Sequence, residues 1–219
     1  MASRFALLAP ALLTLAFPAL AQPAPAPAAT TRPDTVHVAV TTELGTITLA
    51  LDAKYAPITT ANFLRYVDQK RFDGTVFYRV MRLDWGTQPN GLIQGGAQGN
   101  PKRVLKPIKH EPTNVTGIAH KAGTISMARY APGTATGDFS ILLSDLTSLD
   151  ANPAATDPES IAGFAAFGHV AAGMDVVRKI YDVPLSPTKG EGVLKGQMIE
   201  KPVKIVSMRR VAAPASPAP

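Results

Sequence analysis

Cysteine is absent from the 219-residue sequence, which excludes disulfide bonds, thiol catalysis and cysteine-ligated metal sites. The protein must therefore be stabilised by its hydrophobic core alone. Once the terminal segments described below are set aside, residues 35–211 remain, and this length is sufficient for one domain with a sizeable core.

Long apolar runs are also lacking, except at the N-terminus. Arg4 precedes the apolar stretch "FALLAPALLTLAF", and Ala19-Leu20-Ala21 has the pattern of a small-residue cleavage site. We interpret residues 1–21 as an export signal, because this run is too short and too interrupted by proline to span a bilayer, which needs about 20 residues. A buried N-terminal helix is the alternative interpretation. No later stretch is apolar enough to predict stable membrane insertion.

Segments rich in proline and alanine flank the central region. Residues 22–34 and 212–219 offer too little apolar surface to form a core, so we expect an extended linker and an extended tail. The folded domain is predicted at 35–211. A short export signal and the absence of cysteine are consistent with the bacterial periplasm, where we expect a monomer.

The basic residues show no clustering that would indicate a nucleic-acid site. The formal net charge is +6, and it becomes +5 when Arg4 is removed with the signal (6 − 1). Because these charges are scattered along the chain, we expect no nucleic-acid partner. The histidines are scattered too, and "HEPTN" at 110–114 lacks a second histidine one helical turn on, so no metal or other cofactor is predicted.

Alternation of apolar and polar residues predicts a mainly β protein. In "TVHVAVTT" (35–42), Val36, Val38 and Val40 share one face, and a turn at 43–45 leads into a second alternating run at 46–52, so the domain begins with a hairpin. Further short strands are predicted at 75–81, 92–94, 123–128, 138–143, 165–170 and 202–211.

Two segments have helical periodicity. A helix is predicted after Pro57, with one apolar face formed by Ile58, Ala61, Leu64 and Val67. A second helix follows Gly173. Many short strands with turn-rich connections and only two helices favour a closed or nearly closed antiparallel β-barrel.

Five strings occur in a characteristic order. They are "FYRVM" (77–81), "GLIQGG" (91–96), "GTISMAR" (123–129), "GDFSILLSD" (137–145) and "GFAAFGHV" (163–170). Together they resemble the cyclophilin family of peptidyl-prolyl cis-trans isomerases. The resemblance implies a closed eight-stranded antiparallel β-barrel capped by two α-helices. It also implies an isomerase that acts on proline-containing polypeptides, here exported ones, without a cofactor.

The chemistry of prolyl isomerisation requires a fixed hydrogen-bond donor. Rotation about an X–Pro bond breaks amide resonance, with a barrier of roughly 18–20 kcal/mol, and the twisted nitrogen regains a lone pair. Arg79 matches the family's catalytic arginine, and Gln94 matches the glutamine that positions it. The alternatives are a solvated strand arginine and a buried core glutamine.

The resemblance also assigns substrate-binding positions. Ala128, Arg129 and Tyr130 fall where the family lays the substrate backbone along a strand edge, with Arg129 in place of the common asparagine. The remaining pocket positions are Gly91, Leu92, Ser140, Ser148, Leu149 and Phe164. Met127 and Phe139 are expected to face the barrel core.

The pocket departs from the family pattern. Gly91 and Ser140 stand where the family usually has phenylalanines, and Ser148 stands where eukaryotic members have a tryptophan. Loss of these rings is expected to enlarge the pocket and weaken proline binding. Trp85 is either a replacement wall or a residue packed on the barrel surface, and Tyr130 and Phe139 are further candidates for such a wall. The alternative function is therefore a chaperone or binding module with little turnover. Asp138, Asp145 and Asp150 are expected to be solvated caps.

Overall fold

The computed structural model describes residues 34–214. The predicted export signal (1–21), the linker except its last residue, and residues 215–219 of the predicted tail lie outside the described residues. The boundaries proposed for those segments therefore remain predictions.

In the described part of the chain, eight strands form at the positions where apolar residues alternate or run together. Val38 and Val40 are fully buried in the first strand, as the alternation predicts, and Val36 is nearly so. The strands are β1 (Thr35–Thr42), β2 (Gly45–Asp52), β3 (Val76–Arg82), β4 (Gly91–Gly96), β5 (Thr124–Met127), β6 (Asp138–Leu142), β7 (Ala166–Ala172) and β8 (Met198–Val211).

These strands close into one antiparallel barrel. Their order around it is β1-β2-β7-β5-β6-β4-β3-β8, and β8 pairs again with β1. Closure leaves no free sheet edge among these strands, so every strand pairs on both sides. The predicted eight-stranded antiparallel barrel is confirmed. For the site, the important order is β8, β3, β4 and β6, because these strands are consecutive neighbours.

Within residues 34–214, four α-helices accompany the barrel, rather than the two predicted. They are α1 (Pro57–Asp68), α2 (Thr113–Thr116), α3 (Pro158–Ala162) and α4 (Met174–Tyr181). The two longer ones, α1 and α4, are those predicted. The short α2 and α3 were missed, because four or five residues are too few to show a helical period.

The buried face of α1 differs from the predicted one. Ile58 is 39% exposed, whereas Phe63, Tyr66 and Val67 are buried. In the first turn the buried side chains are instead Thr59 and Thr60, at 0% and 1% exposure. The apolar period was correctly recognised, but its phase was wrong at the N-terminus.

Phenylalanine rings fill the barrel core. Phe63 from α1 lies 5.4 Å, ring centre to ring centre, from both Phe139 and Phe167, and Phe72 lies 4.9 Å from Phe63. Phe77 of β3 completes the cluster by an edge-on contact with Phe139. The prediction that Met127 and Phe139 face the core is confirmed, since their exposed fractions are 2% and zero. A rigid, closely packed interior therefore supports whatever lies on the outer face.

A distant carboxylate caps α1. The residue before the helix, Ala56, has no side chain that could accept from the first backbone N–H groups. Glu111 does so instead: its Oε1 accepts from Ile58 N at 3.1 Å, and its Oε2 accepts from Thr59 N at 2.6 Å and Thr59 Oγ1 at 2.7 Å. Negative charge at a helix N-terminus is also favourable. Glu111 thus fastens a loop, 52 residues after Thr59, onto the helix that closes the barrel.

Within residues 34–214, no helix is both long enough and apolar enough to cross a bilayer. In the same part of the chain, no three His, Asp or Glu side chains are grouped as a metal would require.

We predict that Glu111→Ala lowers the free energy of unfolding by about 1–3 kcal/mol, because buried donors lose their acceptor. Urea denaturation with a far-ultraviolet circular dichroism signal measures the change. Glu200→Ala, on the exposed face of β8, is the control and should stay within about 0.5 kcal/mol of the unmodified protein. Equal effects of the two substitutions would contradict the capping role.

Candidate active site

A β-bulge in β3 puts two consecutive side chains on the outer face of the barrel. Phe77 pairs with Gly95 and Arg79 pairs with Gln94, so Tyr78 is an extra residue, and the register also shifts against β8. Phe77 and Val80 are fully buried, whereas Tyr78 and Arg79 are half-buried. A regular strand would turn one of these two inward. The bulge is therefore what aims Arg79 outward beside Tyr78.

Two glutamines hold the Arg79 guanidinium. Its Nη1 donates to Gln94 Oε1 at 2.7 Å, and its Nε donates to Gln197 Oε1 at 2.8 Å. An arginine has five N–H donors, so three remain for other acceptors. Burial lowers the pKa of Arg79, but an arginine pKa starts so far above neutrality that the group stays charged. The result is a fixed cation with unused donors.

Gln94 is itself oriented by a chain of hydrogen bonds. Its Nε2 donates to the Tyr78 hydroxyl at 2.7 Å, and that hydroxyl donates to Asp138 Oδ1 at 3.3 Å. Asp138 also accepts from Gln98 N at 2.9 Å. Burial, followed by the charge of Asp138, raises the pKa of Tyr78, so the phenol remains protonated and can donate. The expectation that Asp138 is a solvated cap is wrong, because it is half-buried and its own pKa is raised by burial.

A cavity of about 220 Å³ lies beside Arg79. It brings together eight of the eleven site residues selected from the sequence: Arg79, Leu92, Gln94, Ala128, Arg129, Ser140, Leu149 and Phe164. Met81, Ser126 and Met127 also line it and were not selected. For Met81 and Ser126 the missing signal was the strand pairing, which places them next to Leu92 and Ser140.

The cavity floor carries two hydroxyl groups. Ser126 of β5 lies directly opposite Ser140 of β6, and both are buried. His120 Nδ1 lies 2.6 Å from Asp150 Oδ1, and its Nε2 lies 2.8 Å from Ser126 Oγ. Because the carboxylate accepts from Nδ1–H, Nε2 accepts the Ser126 hydroxyl proton. The Ser126 oxygen is thereby presented as an acceptor. Asp150 is thus bound to a buried histidine rather than being a solvated cap.

Arg129 forms one wall of the cavity. Its guanidinium lies 4.5 Å from the Phe164 ring centre, and Nη1 donates to Glu159 Oε2 at 2.6 Å and to Tyr130 O at 2.8 Å. Nη2 donates to Gly163 O at 2.5 Å. These contacts fasten the 129–130 segment to α3. Arg129, which replaces the common asparagine, therefore has a structural role, and its side chain is only 1% exposed.

Residues 37–210 match the family model described as "Cyclophilin type peptidyl-prolyl cis-trans isomerase/CLD". The chain belongs to this family. It is 40% identical over 176 residues to a peptidyl-prolyl cis-trans isomerase of Acinetobacter baylyi, covering 78% of this chain and 84% of that one. It is 38% identical over 163 residues to peptidyl-prolyl cis-trans isomerase A of Dickeya dadantii, covering 73% and 76%.

The fold is also that of a solved cyclophilin. A Cryptosporidium parvum cyclophilin type peptidyl-prolyl cis-trans isomerase, crystallised in the presence of the dipeptide Ala-Pro, superposes with a TM-score of 0.63 at 18% identity. The superposition covers 80% of this chain and 99% of the other. Because the identity is only 18%, this similarity shows a shared fold and carries no argument about function.

Three predicted substrate-binding residues of this cyclophilin lie outside the cavity lining. Tyr130 is 94% exposed, and Ser148 is exposed in a short 3₁₀ helix. Gly91 is buried with a φ of +136°, and a Cβ there would collide with the Met81 carbonyl oxygen. The backbone therefore cannot carry the phenylalanine that the family usually places at this position, and Gly91 contributes no wall.

None of the suggested replacement walls lines the cavity. Trp85 is 59% exposed, and its carbonyl oxygen accepts from the side-chain amides of Gln88 and Asn90, which shape the inserted loop. Phe139 is fully buried inside the barrel. The cavity consequently has Ser140 at a position where the family pattern has an aromatic ring.

We predict that stability falls between about pH 7 and pH 5 because of His120. Burial lowers the pKa of this histidine below its ordinary 6.5, despite the opposing effect of Asp150. The unfolded chain therefore takes up a proton near pH 6.5 while the folded protein does not, so the free energy of unfolding decreases as the pH falls through this window.

Urea denaturation at half-unit pH steps measures the slope. His120→Asn should flatten it, even if the variant is less stable at every pH. His169→Asn, at an exposed position of β7, should leave it unchanged. A slope that persists in the His120 variant would refute the assignment.

Proposed function

We propose that this peptidyl-prolyl cis-trans isomerase is exported and acts on X–Pro bonds in other exported polypeptides, with Arg79 as the electrophilic donor. The observation that carries the residue assignment is the charged guanidinium with unused N–H groups beside a cavity that opens to the surface. Export rests on the sequence pattern of residues 1–21. The two relatives named above are bacterial, and in a bacterium we propose the periplasm as the location. We expect the protein to work as a monomer.

The geometry suits a reaction in which no covalent bond is made or broken. The barrier is lost amide resonance, roughly 18–20 kcal/mol, and the twisted imide nitrogen gains a lone pair that a donor can stabilise. An Arg79 N–H held in advance stabilises this lone pair without reorganisation. Since the planar imide lacks that lone pair, the interaction is stronger in the transition state than in the ground state, as catalysis requires.

The other residues divide between positioning and binding. Gln94 orients Arg79 through the measured hydrogen bond. Leu92, Leu149 and Phe164 bury the proline ring, where each methylene contributes about 0.8 kcal/mol. Ser140 completes this pocket with a hydroxyl.

The substrate backbone is proposed to follow the segment Ala128, Arg129 and Tyr130. Two of its N–H groups are already engaged, because Ala128 N donates to Asp138 O at 2.9 Å and Tyr130 N donates to Thr134 Oγ1 at 3.2 Å. Pairing with a substrate backbone must therefore use the remaining groups of this segment, the carbonyl oxygens among them.

A second function, holding proline-containing segments with little turnover, is favoured by one observation. The floor formed by Ser126 and Ser140 is polar, and polar groups in a dry pocket reduce the gain from burying a proline ring. The rate relative to an Arg79 variant separates the two functions.

We predict that Arg79→Ala lowers kcat/KM for an Ala-Pro tetrapeptide about 10²–10³-fold, because one preorganised donor is lost. A protease-coupled assay measures the rate. Arg178→Ala removes an equal charge from the exposed face of α4 and should retain the original rate. A native rate no higher than that of Arg79→Ala would establish the holding function instead.

We also predict that Ser140→Phe raises the affinity for proline peptides about 4-fold to 15-fold, since an aromatic floor gives the ring an apolar contact worth one or two methylenes. The matched control is Ser140→Ala, which removes the hydroxyl but leaves the cavity open and should change the affinity less. Titration followed by nuclear magnetic resonance measures both. Weaker binding by the phenylalanine variant than by the alanine variant would contradict the pocket assignment.

A further inference from the structure

Arg79 is held from two sides, and the sequence pattern points to only one of them. Gln94 lies on β4, one neighbour of β3 in the barrel. Gln197 directly precedes β8, the other neighbour, and its Oε1 accepts from Arg79 Nε at 2.8 Å. We infer that Gln197 is a second positioning residue for the catalytic arginine. This inference rests on the proposed role of Arg79 and extends it to a segment outside the family strings.

Gln197 is itself well anchored. Its Nε2 donates to Val193 O at 2.8 Å, which fixes which end of the amide faces Arg79. Its backbone N donates to Leu194 O at 3.0 Å, and its carbonyl oxygen accepts from Val80 N at 2.9 Å. The residue is thus tied to the residue after Arg79 and to the preceding 3₁₀ turn.

The segment before Gln197 has a backbone shape that few sequences allow. Gly190 has a φ of +88°, and a Cβ there would collide with the Leu194 carbonyl oxygen. Gly190 thereby lets the chain fold back on the 3₁₀ helix Gly192–Leu194, whose residues anchor Gln197. A loop closed in this way presents the glutamine amide in one orientation.

Two hydrogen bonds fix the orientation of the Arg79 guanidinium, whereas one would not. The bond from Nη1 to Gln94 fixes one end of the guanidinium but permits it to tilt about that contact. The bond from Nε to Gln197 fixes the other end of the same plane, so the remaining N–H groups keep one direction. Gln197 does not line the cavity, so it should affect the rate of rotation about the X–Pro bond rather than binding of the peptide.

Gln197→Met tests this role, because methionine has a similar length but no strong acceptor for Arg79 Nε–H. We expect kcat for an Ala-Pro tetrapeptide, measured by exchange spectroscopy at saturating peptide, to fall on the order of 10-fold. Peptide affinity should not change. The Arg79 Nε–H resonance should shift, which a purely structural role elsewhere in the loop would not cause.

Gln197→Glu distinguishes the arginine contact from the loop contact. A carboxylate still accepts from Arg79 but cannot donate to Val193 O. We expect a rate between those of the unmodified protein and Gln197→Met, since the geometry is kept while the added negative charge weakens the cation. Lys195→Ala, exposed in the same loop, is the control and should remain within twofold.

The outcomes are distinct. A rate for Gln197→Glu at or below that of Gln197→Met would assign the effect to the loop and overturn the inference. So would an unchanged rate in Gln197→Met, provided that Arg79→Ala is impaired. Should Arg79→Ala itself keep its rate, the proposed donor role fails, and the role of Gln197 fails with it. If Gln197→Met does not fold, the comparison of Gln197→Glu with Lys195→Ala decides: a downfield shift of the Arg79 Nε–H resonance in Gln197→Glu alone, as a carboxylate acceptor gives, with a partly reduced rate supports the inference, and any other result refutes it.

Discussion

The site depends on one constraint, which is that a charged guanidinium must be held still on the outside of a barrel. A free arginine side chain would sample many rotamers in solvent and would lose entropy on meeting the substrate. Here the β3 bulge turns Arg79 outward, and Gln94 and Gln197 hold it from opposite sides. The entropy has been lost during folding, so in the proposed mechanism the donor meets the twisted imide without further ordering.

The alternation of apolar and polar residues predicted the fold well, because successive side chains of a barrel strand point alternately inward and outward. Val38 and Val40 show this plainly, and the eight strands emerged near their predicted positions. What the sequence could not reveal depends on residues far apart in the chain. The carboxylate that caps α1 comes from Glu111, and the bulge at Tyr78 is defined only by two partner strands. Neither leaves a local periodic signal.

Candidate site residues that lie within a family string could be identified from the sequence. Those placed by strand pairing or backbone conformation could not. Arg79 and Gln94 were recognised by their strings, yet Tyr78 and Gln197, which complete the hydrogen-bond chain, were not. Gly91 illustrates the opposite error. Its place beside a motif suggested a pocket wall, but its φ of +136° and the nearby Met81 carbonyl oxygen leave no space for a side chain. Alignment to a family conveys residue types, whereas backbone conformation decides which can point into a cavity.

Rigidity explains why such a barrel suits this reaction. The hydrogen-bond chain from Asp138 through Tyr78, Gln94 and Arg79 to Gln197 crosses β6, β4 and β3 and ends beside β8, so it spans four consecutive neighbours of a closed sheet. Because the sheet is closed, these strands cannot slide without breaking the ladders on the other side. A substrate therefore meets groups whose spacing is set by the barrel. Since nothing covalent changes, catalysis here depends on the barrel resisting deformation while the imide twists.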